Sequence, residues 1–309
     1  MKDKSCTCCG ANEIDELDKY HAFSHFSCQR CGYEWFVNMN LTIESTLYEN
    51  DSDYNDDLNV SKDHKALIQW NHKKSLDYIK GVCRVSEASV LDIGCFNGFF
   101  VKALLDLGFD AYGIDFNEKA VEFGQKKYGL SGKISCDSVE TLIQKGKKYG
   151  VITMFEVIEH LESSPNIFLK TVIELLKDDG IFIVSAPNSK MLWRPKLDFP
   201  PHHFSRFTPN SLTKCLSSIG LRPVKTLEQM STFDLARNYI GATFFRQRNG
   251  DSLRGGGFKN KRISDPLRLS LNKIKWVVYI FLYPLDRVMH YFGLRYICQL
   301  VISEKECST

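Results

Sequence analysis

No stretch of this 309-residue chain reaches the roughly 18 uninterrupted apolar residues that a conventional membrane-crossing helix needs. The nearest approach, WVVYIFLYPL from Trp276 to Leu285, is too short to span alone. The opening MKDKSCTCCG lacks the apolar core of a secretory signal, so the expected compartment is the cytoplasm. Charge of one sign is not in excess either: 40 Lys and Arg against 37 Asp and Glu leave a formal +3, too mild for bulk attraction to nucleic acid. An even cysteine count is also missing. Eleven cysteines in a reducing compartment read as thiols or metal ligands, not as a complete disulfide framework. What remains, 43% hydrophobic and 25% charged, is an ordinary globular composition with room for one sizeable α/β domain plus attachments, or for two domains.

The cysteines are concentrated at the start. Cys6-Thr7-Cys8-Cys9-Gly10 and Cys28-Gln29-Arg30-Cys31-Gly32 are two Cys-x-x-Cys-Gly turns, with 18 residues between Cys9 and Cys28. Four thiolates at this spacing suit one tetrahedral Zn2+, with Cys6, Cys9, Cys28 and Cys31 as ligands and Cys8 as a competitor in the first turn. So small a segment has little core of its own, so the metal would be structural. Residues 1–43 resemble a zinc ribbon, including the aromatic pair Trp35 and Phe36. His21 and His25 are spare donors that a four-cysteine site does not need. An acidic linker follows at 44–62; from Glu44 to Asp63 there are seven acidic residues against one lysine. Asp63 is then expected to cap a helix running through Lys80, with Leu67, Ile68, Leu76 and Ile79 on one face.

From Ser89 apolar strand-like runs alternate with helical patterns. Strands are expected at Ser89 to Ile93, Ala111 to Asp115, Lys133 to Cys136, Val151 to Phe155 and Ile181 to Ala186. Helices are expected at Phe99 to Leu107, Glu118 to Tyr128, near Val139 to Ile143, and Asn166 to Leu176. This is βαβ repetition, hence a parallel sheet covered on both faces, with ligands at the carboxyl ends of the strands. At those ends stand Asp92-Ile93-Gly94 with Gly98, then Asp115 at 23 positions after Asp92, then Cys136-Asp137-Ser138. A glycine turn presents a helix N-terminus, an acid at the second strand suits a ribose diol, and a third polar end suits an adenine amine.

Together with MFEVIEHL at 154 to 161 and LLKDDGIFIVSAPN at 175 to 188, these residues resemble the class I S-adenosylmethionine-dependent methyltransferases, over about residues 60 to 227 and again at the last strand. The likeness is greatest to the subgroup that holds quinone-biosynthesis and sugar methyltransferases. It implies a Rossmann-like seven-stranded α/β sheet at 63–309, and S-adenosyl-L-methionine held by Asp92, Gly94, Asn97, Gly98, Asp115, Asp137 and Glu156. The departure is Phe96, where many such turns carry their middle glycine. A dinucleotide enzyme needs that glycine to approach a pyrophosphate, but S-adenosylmethionine has no phosphate, so a side chain is tolerable.

An alcohol or phenol acceptor must lose a proton, and histidine is the usual base near neutral pH. His160 closes the EVIEH motif, with pairing to Glu156 or Glu159 as its structural alternative. PPHHFSRFTPNSL, 200 to 212, offers His202 and His203, with Arg206 as a clamp for an anionic group; His203 is favoured as the base. Thr208 should cap the next helix, with Pro209 in its first turn. Strands at Leu221 to Leu227 and Tyr296 to Ser303 complete the sheet around an insertion at 228–294. The insertion runs from a basic, glycine-rich part, seven basic residues against one aspartate between Leu253 and Lys275, into an aromatic and apolar one. Such a segment, 253–294, suits an anionic membrane interface, or alternatively a pair of helices packed on the core or a second subunit. The expected reaction is O-methylation of a small-molecule, sugar or lipid-linked, glycolipid-like acceptor. RNA methylation through the ribbon and a non-catalytic scaffold are the alternatives; the ribbon's weak charge argues against nucleic acid.

Overall fold

The computed structural model describes residues 5–38, 64–85, 88–161, 164–191, 194, 198–229, 231–232, 236, 277–278, 280–289, 291–292 and 297–306. The acidic linker at 44–62, Asp63 and the basic part of the insertion lie outside the described residues.

Two sheets organise the chain. The larger has the order β10-β11-β8-β7-β4-β5-β6. Its strands are β4 (Ser89–Ile93), β5 (Asp110–Ile114), β6 (Ile134–Ser135), β7 (Tyr149–Phe155), β8 (Leu176–Pro187), β10 (Leu221–Gln229) and β11 (Cys298–Lys305). Strands β6, β5, β4, β7 and β8 pair in parallel, whereas β11 is antiparallel to both β8 and β10. A parallel sheet needs cover on both faces, and its apolar strands show this in their alternation. Val90, Val151, Ile183 and Ile302 join one buried cluster with helices α1 (Trp70–Val82), α2 (Phe99–Asp106) and α3 (Glu118–Tyr128). Leu91, Ile152, Val184 and Val301 face the other way, toward α4 (Val139–Gln144), α5 (Pro165–Ile173) and α6 (Pro209–Ser217).

Local chemistry starts the helices where the sequence places capping residues. Asn117 accepts from the Ala120 amide at 3.0 Å ahead of α3, and Ser138 from the Thr141 amide at 3.2 Å ahead of α4. Thr208 and Ser211 form a reciprocal capping box at α6, with Pro209 in the first turn. The helix expected from Asp63 is different. A 3-10 turn at His64–Leu67 stops short of α1, which begins at Trp70 behind Gln69. Leu67 and Ile68 therefore precede the helix instead of sharing its face. Similarly, Leu176, expected as the end of a helix, is already the first residue of β8.

The smaller sheet has the order β1-β2-β3-β9, all antiparallel: β1 (Ile14–Tyr20), β2 (Phe23–Cys28), β3 (Glu34–Asn38) and β9 (Ser205–Arg206). Three strands come from the cysteine-rich start, and the fourth is two residues of the His-rich loop. Cys6, Cys28, Cys31 and Tyr33 belong to the same buried cluster as the α5 and α6 face of the large sheet. The ribbon segment thus packs against the sheet that carries the strand ends.

Candidate active site

The turn after β4 is built by residues that other side chains would obstruct. Gly94 has φ +72°, and a Cβ there would lie 2.3 Å from Val157 Cγ2, so the turn can sit against the loop after β7 only without a side chain. Gly124 of α3 has the same kind of role, unread in the sequence: a Cβ would stand 2.1 Å from the Asn97 carbonyl oxygen. Gly98, in the left-handed region, caps α2.

Phe96 is left-handed too, at φ +51°, a conformation that a bulky residue rarely adopts. Its amide donates to Asp115 Oδ2 at 2.7 Å, while the Asn117 amide donates to Asp115 Oδ1 at 2.8 Å. The middle position is therefore bent as a glycine would bend, and the carboxylate at the end of β5 holds it there. Burial raises the Asp115 carboxyl, against those two amide bonds. Beside it Phe116 leaves 65% of its surface exposed, an aromatic face that sequence reading missed. Asp92 is buried and accepts from Thr153 Oγ1 at 2.6 Å. Burial, reinforced by the Asp115 charge and opposed by Thr153, pushes it up to about 7. Asn97 is also buried, its Oδ1 taking the Phe99 amide at 3.3 Å. Asp137 sits after β6 in an ion pair with Lys145 at 2.8 Å, which lowers its carboxyl.

Across the sheet, Glu156 is another left-handed non-glycine residue, φ +52°. Its Oε1 accepts from Ser185 Oγ at 2.7 Å, and Ser185 in turn accepts from Asn71 Nδ2 of α1 at 2.9 Å. Cys298 Sγ completes the group at 3.4 Å. Ser185 belongs to the SAPN end of the 175–188 stretch, whereas Asn71 carries no sequence signal of its own; the network forms where α1 and β8 meet.

The histidines converge. His160 Nδ1 lies 2.6 Å from the His202 carbonyl, which can only accept, so that nitrogen carries the proton. Burial, with the neighbouring His203 charge, lowers His160 to about 4 and keeps the ring neutral. Its ring meets that of His203 edge to face at 4.7 Å. His203 Nδ1 is 2.9 Å from Asp198 Oδ1, and its Nε2 is 4.0 Å from Glu159 Oε1. Burial pushes Asp198 up, but His203, Arg194 and Arg206 outweigh it and hold the carboxyl below the ordinary range. Glu159 is the opposite case: both oxygens are buried without a hydrogen-bond partner among the described residues, and burial with the Glu156 charge raises it well above normal. One donor atom from each of Glu159, His160 and His203 lies within 4.8 Å of the others, a spacing that a divalent cation would also accept. His202 contributes its backbone, its amide bonding the Phe199 carbonyl at 3.0 Å.

Arg206 is not a substrate clamp. Its guanidinium lies between the rings of Phe36 and Phe199, at 4.8 and 4.4 Å, and its charge is met by Asp198 and Glu34. Asp198, within LDFPP, has no motif around it and was missed.

The ribbon brings four sulfurs together. Cys6, Cys9, Cys28 and Cys31 each place a sulfur within 4.8 Å of the others, with Cys6 to Cys31 and Cys9 to Cys28 both at 3.6 Å. Zinc–sulfur bonds of about 2.3 Å in a tetrahedron require sulfurs roughly 3.8 Å apart, so the set fits. Cys8 is outside the group, buried toward Cys215. A surface groove of about 300 Å³, lined by Lys74, Tyr78, Lys225 and Leu227 among others, contains none of these residues.

A seven-stranded sheet of this order, with glycine turn and acids at its strand ends, defines a Rossmann-like methyltransferase fold. A family model described as "Methyltransferase domain" matches residues 67–226. The chain belongs to this family and is an S-adenosylmethionine-dependent methyltransferase. It is 29% identical over 182 residues to a ubiquinone biosynthesis O-methyltransferase of Dinoroseobacter shibae, covering 50% of this chain and 72% of that one. A probable S-adenosylmethionine-dependent methyltransferase of Mycolicibacterium smegmatis is 26% identical, over 51% of this chain and 61% of the other. Among solved structures, magnesium protoporphyrin IX methyltransferase from Synechocystis PCC 6803 shares the fold at a TM-score of 0.50 and 13% identity, over 86% of this chain and 100% of that one.

Proposed function

We propose that this enzyme methylates a hydroxyl group of a small-molecule acceptor, with His203 as the base. The observation that carries this is the setting of His203: Asp198 accepts a hydrogen bond from its Nδ1–H, which leaves the lone pair on Nε2, the nitrogen that faces Glu159. Bound S-adenosylmethionine supplies an electrophilic methyl group on a positively charged sulfur. The chain does the rest. Asp115 accepts from the ribose hydroxyls, Phe116 offers a face for the adenine, and the turn from Gly94 to Gly98 receives the methionine end. His203 Nε2 would take the acceptor's hydroxyl proton, so that the oxygen could accept the methyl group the bound cofactor would supply, with S-adenosylhomocysteine as the other product. Glu159, kept neutral, bears no charge that would compete for that proton.

The relatives named for ubiquinone biosynthesis support an O-directed, quinone-like or lipid-linked acceptor. We also read Cys6, Cys9, Cys28 and Cys31 as ligands of one structural zinc, and the chain as ribbon 1–43, linker 44–62 and methyltransferase domain 63–309. Among the described residues no helix is long and apolar enough to cross a membrane. The helical residues 280–289 nevertheless expose Ile280, Phe281 and Tyr283 by 60% or more, and Tyr291 and Phe292 follow them. With the basic sequence before them, these support docking at an anionic lipid surface.

The reading is tested by methyl release against lipid, sugar and RNA fractions, with His203→Gln and His160→Gln alongside the wild type. Turnover should fall about 100-fold in His203→Gln, as for loss of a general base, while cofactor affinity is unchanged. A fall confined to His160→Gln would reverse the two roles, and turnover on RNA alone would replace the acceptor class.

A further inference from the structure

An unbroken line of polar and charged side chains runs from the ribbon into the acceptor loop. His25 Nε2 on β2 lies 3.2 Å from Glu34 Oε2 on β3. The same Glu34 oxygen is 3.5 Å from Arg206 Nη1. Arg206 Nη2 donates to the Asp198 backbone carbonyl at 2.8 Å, and its Nε lies 3.5 Å from Asp198 Oδ2. Asp198 Oδ1 then accepts from His203 Nδ1. Arg194 pairs with Asp198 from the other side. The Asp198 and Arg206 side chains are 2% and 6% exposed, so water does little to screen these contacts.

Asp198 is one carboxylate serving three donors. The buried guanidinium of Arg206, the half-buried one of Arg194 and a ring N–H compete for it, and among the described residues only Glu34 offers a second carboxylate to Arg206. Its own charge is secured: burial raises Glu34, but His25, Arg194 and Arg206 hold it below the ordinary range. With Glu34 ionised, Arg206 is ion-paired at both ends and stacked between Phe36 and Phe199. Without that charge, Arg206 has Asp198 alone, and the pull on Asp198 weakens its hold on His203. The backbone reinforces this placement, because Glu34 and Trp35 pair with Arg206 and Ser205, and the Phe36 amide bonds the Phe204 carbonyl at 2.8 Å.

We propose that Glu34 of the ribbon is a positioning residue for His203, acting through Arg206 and Asp198 to keep the ring in its Nδ1–H tautomer with Nε2 directed at the acceptor. The ribbon is then a working part of the acceptor site. The proposal rests on the reading of His203 as the base, and a ring-tautomer measurement separates the two. Full-length, zinc-loaded protein labelled with 15N-histidine is compared as wild type, Glu34→Gln and His203→Gln, the last assigning the His203 signals. Zinc content and cofactor affinity serve as controls.

In wild type the His203 ring should show the Nδ1–H tautomer. In Glu34→Gln it should become a mixture, with kcat lower by about tenfold, zinc retained and cofactor affinity unchanged. An unmoved tautomer in Glu34→Gln overturns the proposal. A shifted tautomer with undiminished kcat upholds it and instead removes His203 as base, as would full turnover by His203→Gln. Should Glu34→Gln lose its zinc or its fold, Arg206→Lys carries the same test. It keeps the charge but cannot reach Asp198 and Glu34 together, so an unmoved tautomer there is equally fatal.

Discussion

The cofactor side and the acceptor side of this site are assembled by different means. On the cofactor side the candidates stand within a few residues of strand ends, and local turn chemistry places those after β4 and β5: Asp115 holds the Phe96 and Asn117 amides across one short turn. On the acceptor side the parts come from distant segments. Thr208 Oγ1 donates to the Cys31 carbonyl across 177 positions of sequence, and His203 depends on a loop stitched to the ribbon as the fourth strand of its sheet. A cofactor of fixed shape can be met by a short contiguous motif, whereas an acceptor is met by whatever the fold brings to the rim. The ribbon is an addition to the rim.

The largest effect should come from separating the two sides. Cys28→Ser with Cys31→Ser removes half of the sulfur set and, on the proposed reading, the zinc that would stabilise so small a unit. Strand β3 then loses its hold on β9, and the acceptor loop its outer edge. Turnover should fall by at least about 100-fold with zinc absent by elemental analysis, while calorimetry shows cofactor affinity retained. An equal loss of cofactor affinity would show that the two sides are not independent.

The same division governs what could be read from the sequence. Strand β4 and helix α3 have the bounds expected of them, Ser89–Ile93 and Glu118–Tyr128, because alternation and an Asn117 cap act locally. Thr208 and Pro209 likewise announce α6. The apolar pair Leu175-Leu176 is buried in a helix and in a strand alike, so periodicity could not say where α5 yields to β8. Arg206 looked like an anion clamp because its sequence neighbours are histidines and prolines. Its partners, Glu34 and Phe36, arrive from the far end of the chain. Asp198 was silent for the same reason, since its meaning lies wholly in the two arginines and the histidine around it.

A second test addresses the cofactor side without its ligand. Asp92 is raised by burial from an ordinary 3.8 to about 7, so the folded protein keeps a proton that the unfolded chain has released. The stability this contributes is complete below about pH 3.8 and is lost as pH rises through about 7. In denaturant unfolding without cofactor, Asp92 should therefore remove stability on the order of 3 kcal/mol between pH 5 and pH 8, against the opposite contribution of His160 and His72, whose lowered values return stability as pH rises toward 6.5. Glu156 and Glu159 are raised as well and add to the decline. The difference between wild type and Asp92→Asn isolates the Asp92 share. Parallel pH profiles would mean that Asp92 stays ionised in the fold.

The smallest expected effect is the most specific to the cofactor reading. Asp115→Ala removes the acceptor of both turn amides and, on the proposed reading, of the ribose hydroxyls at once, and should weaken S-adenosylmethionine binding by roughly 1–3 kcal/mol. Asp115→Asn keeps one oxygen that can still take an amide, so its loss should be the smaller of the two. Because the acceptor side is held from the ribbon, kcat at saturating cofactor should stay close to wild type in both. Calorimetry and saturation kinetics on the pair check this. Unchanged affinity in Asp115→Ala would remove Asp115 from the ribose, while a fall in kcat at saturation would mean that the turn around Phe96 reaches the acceptor after all.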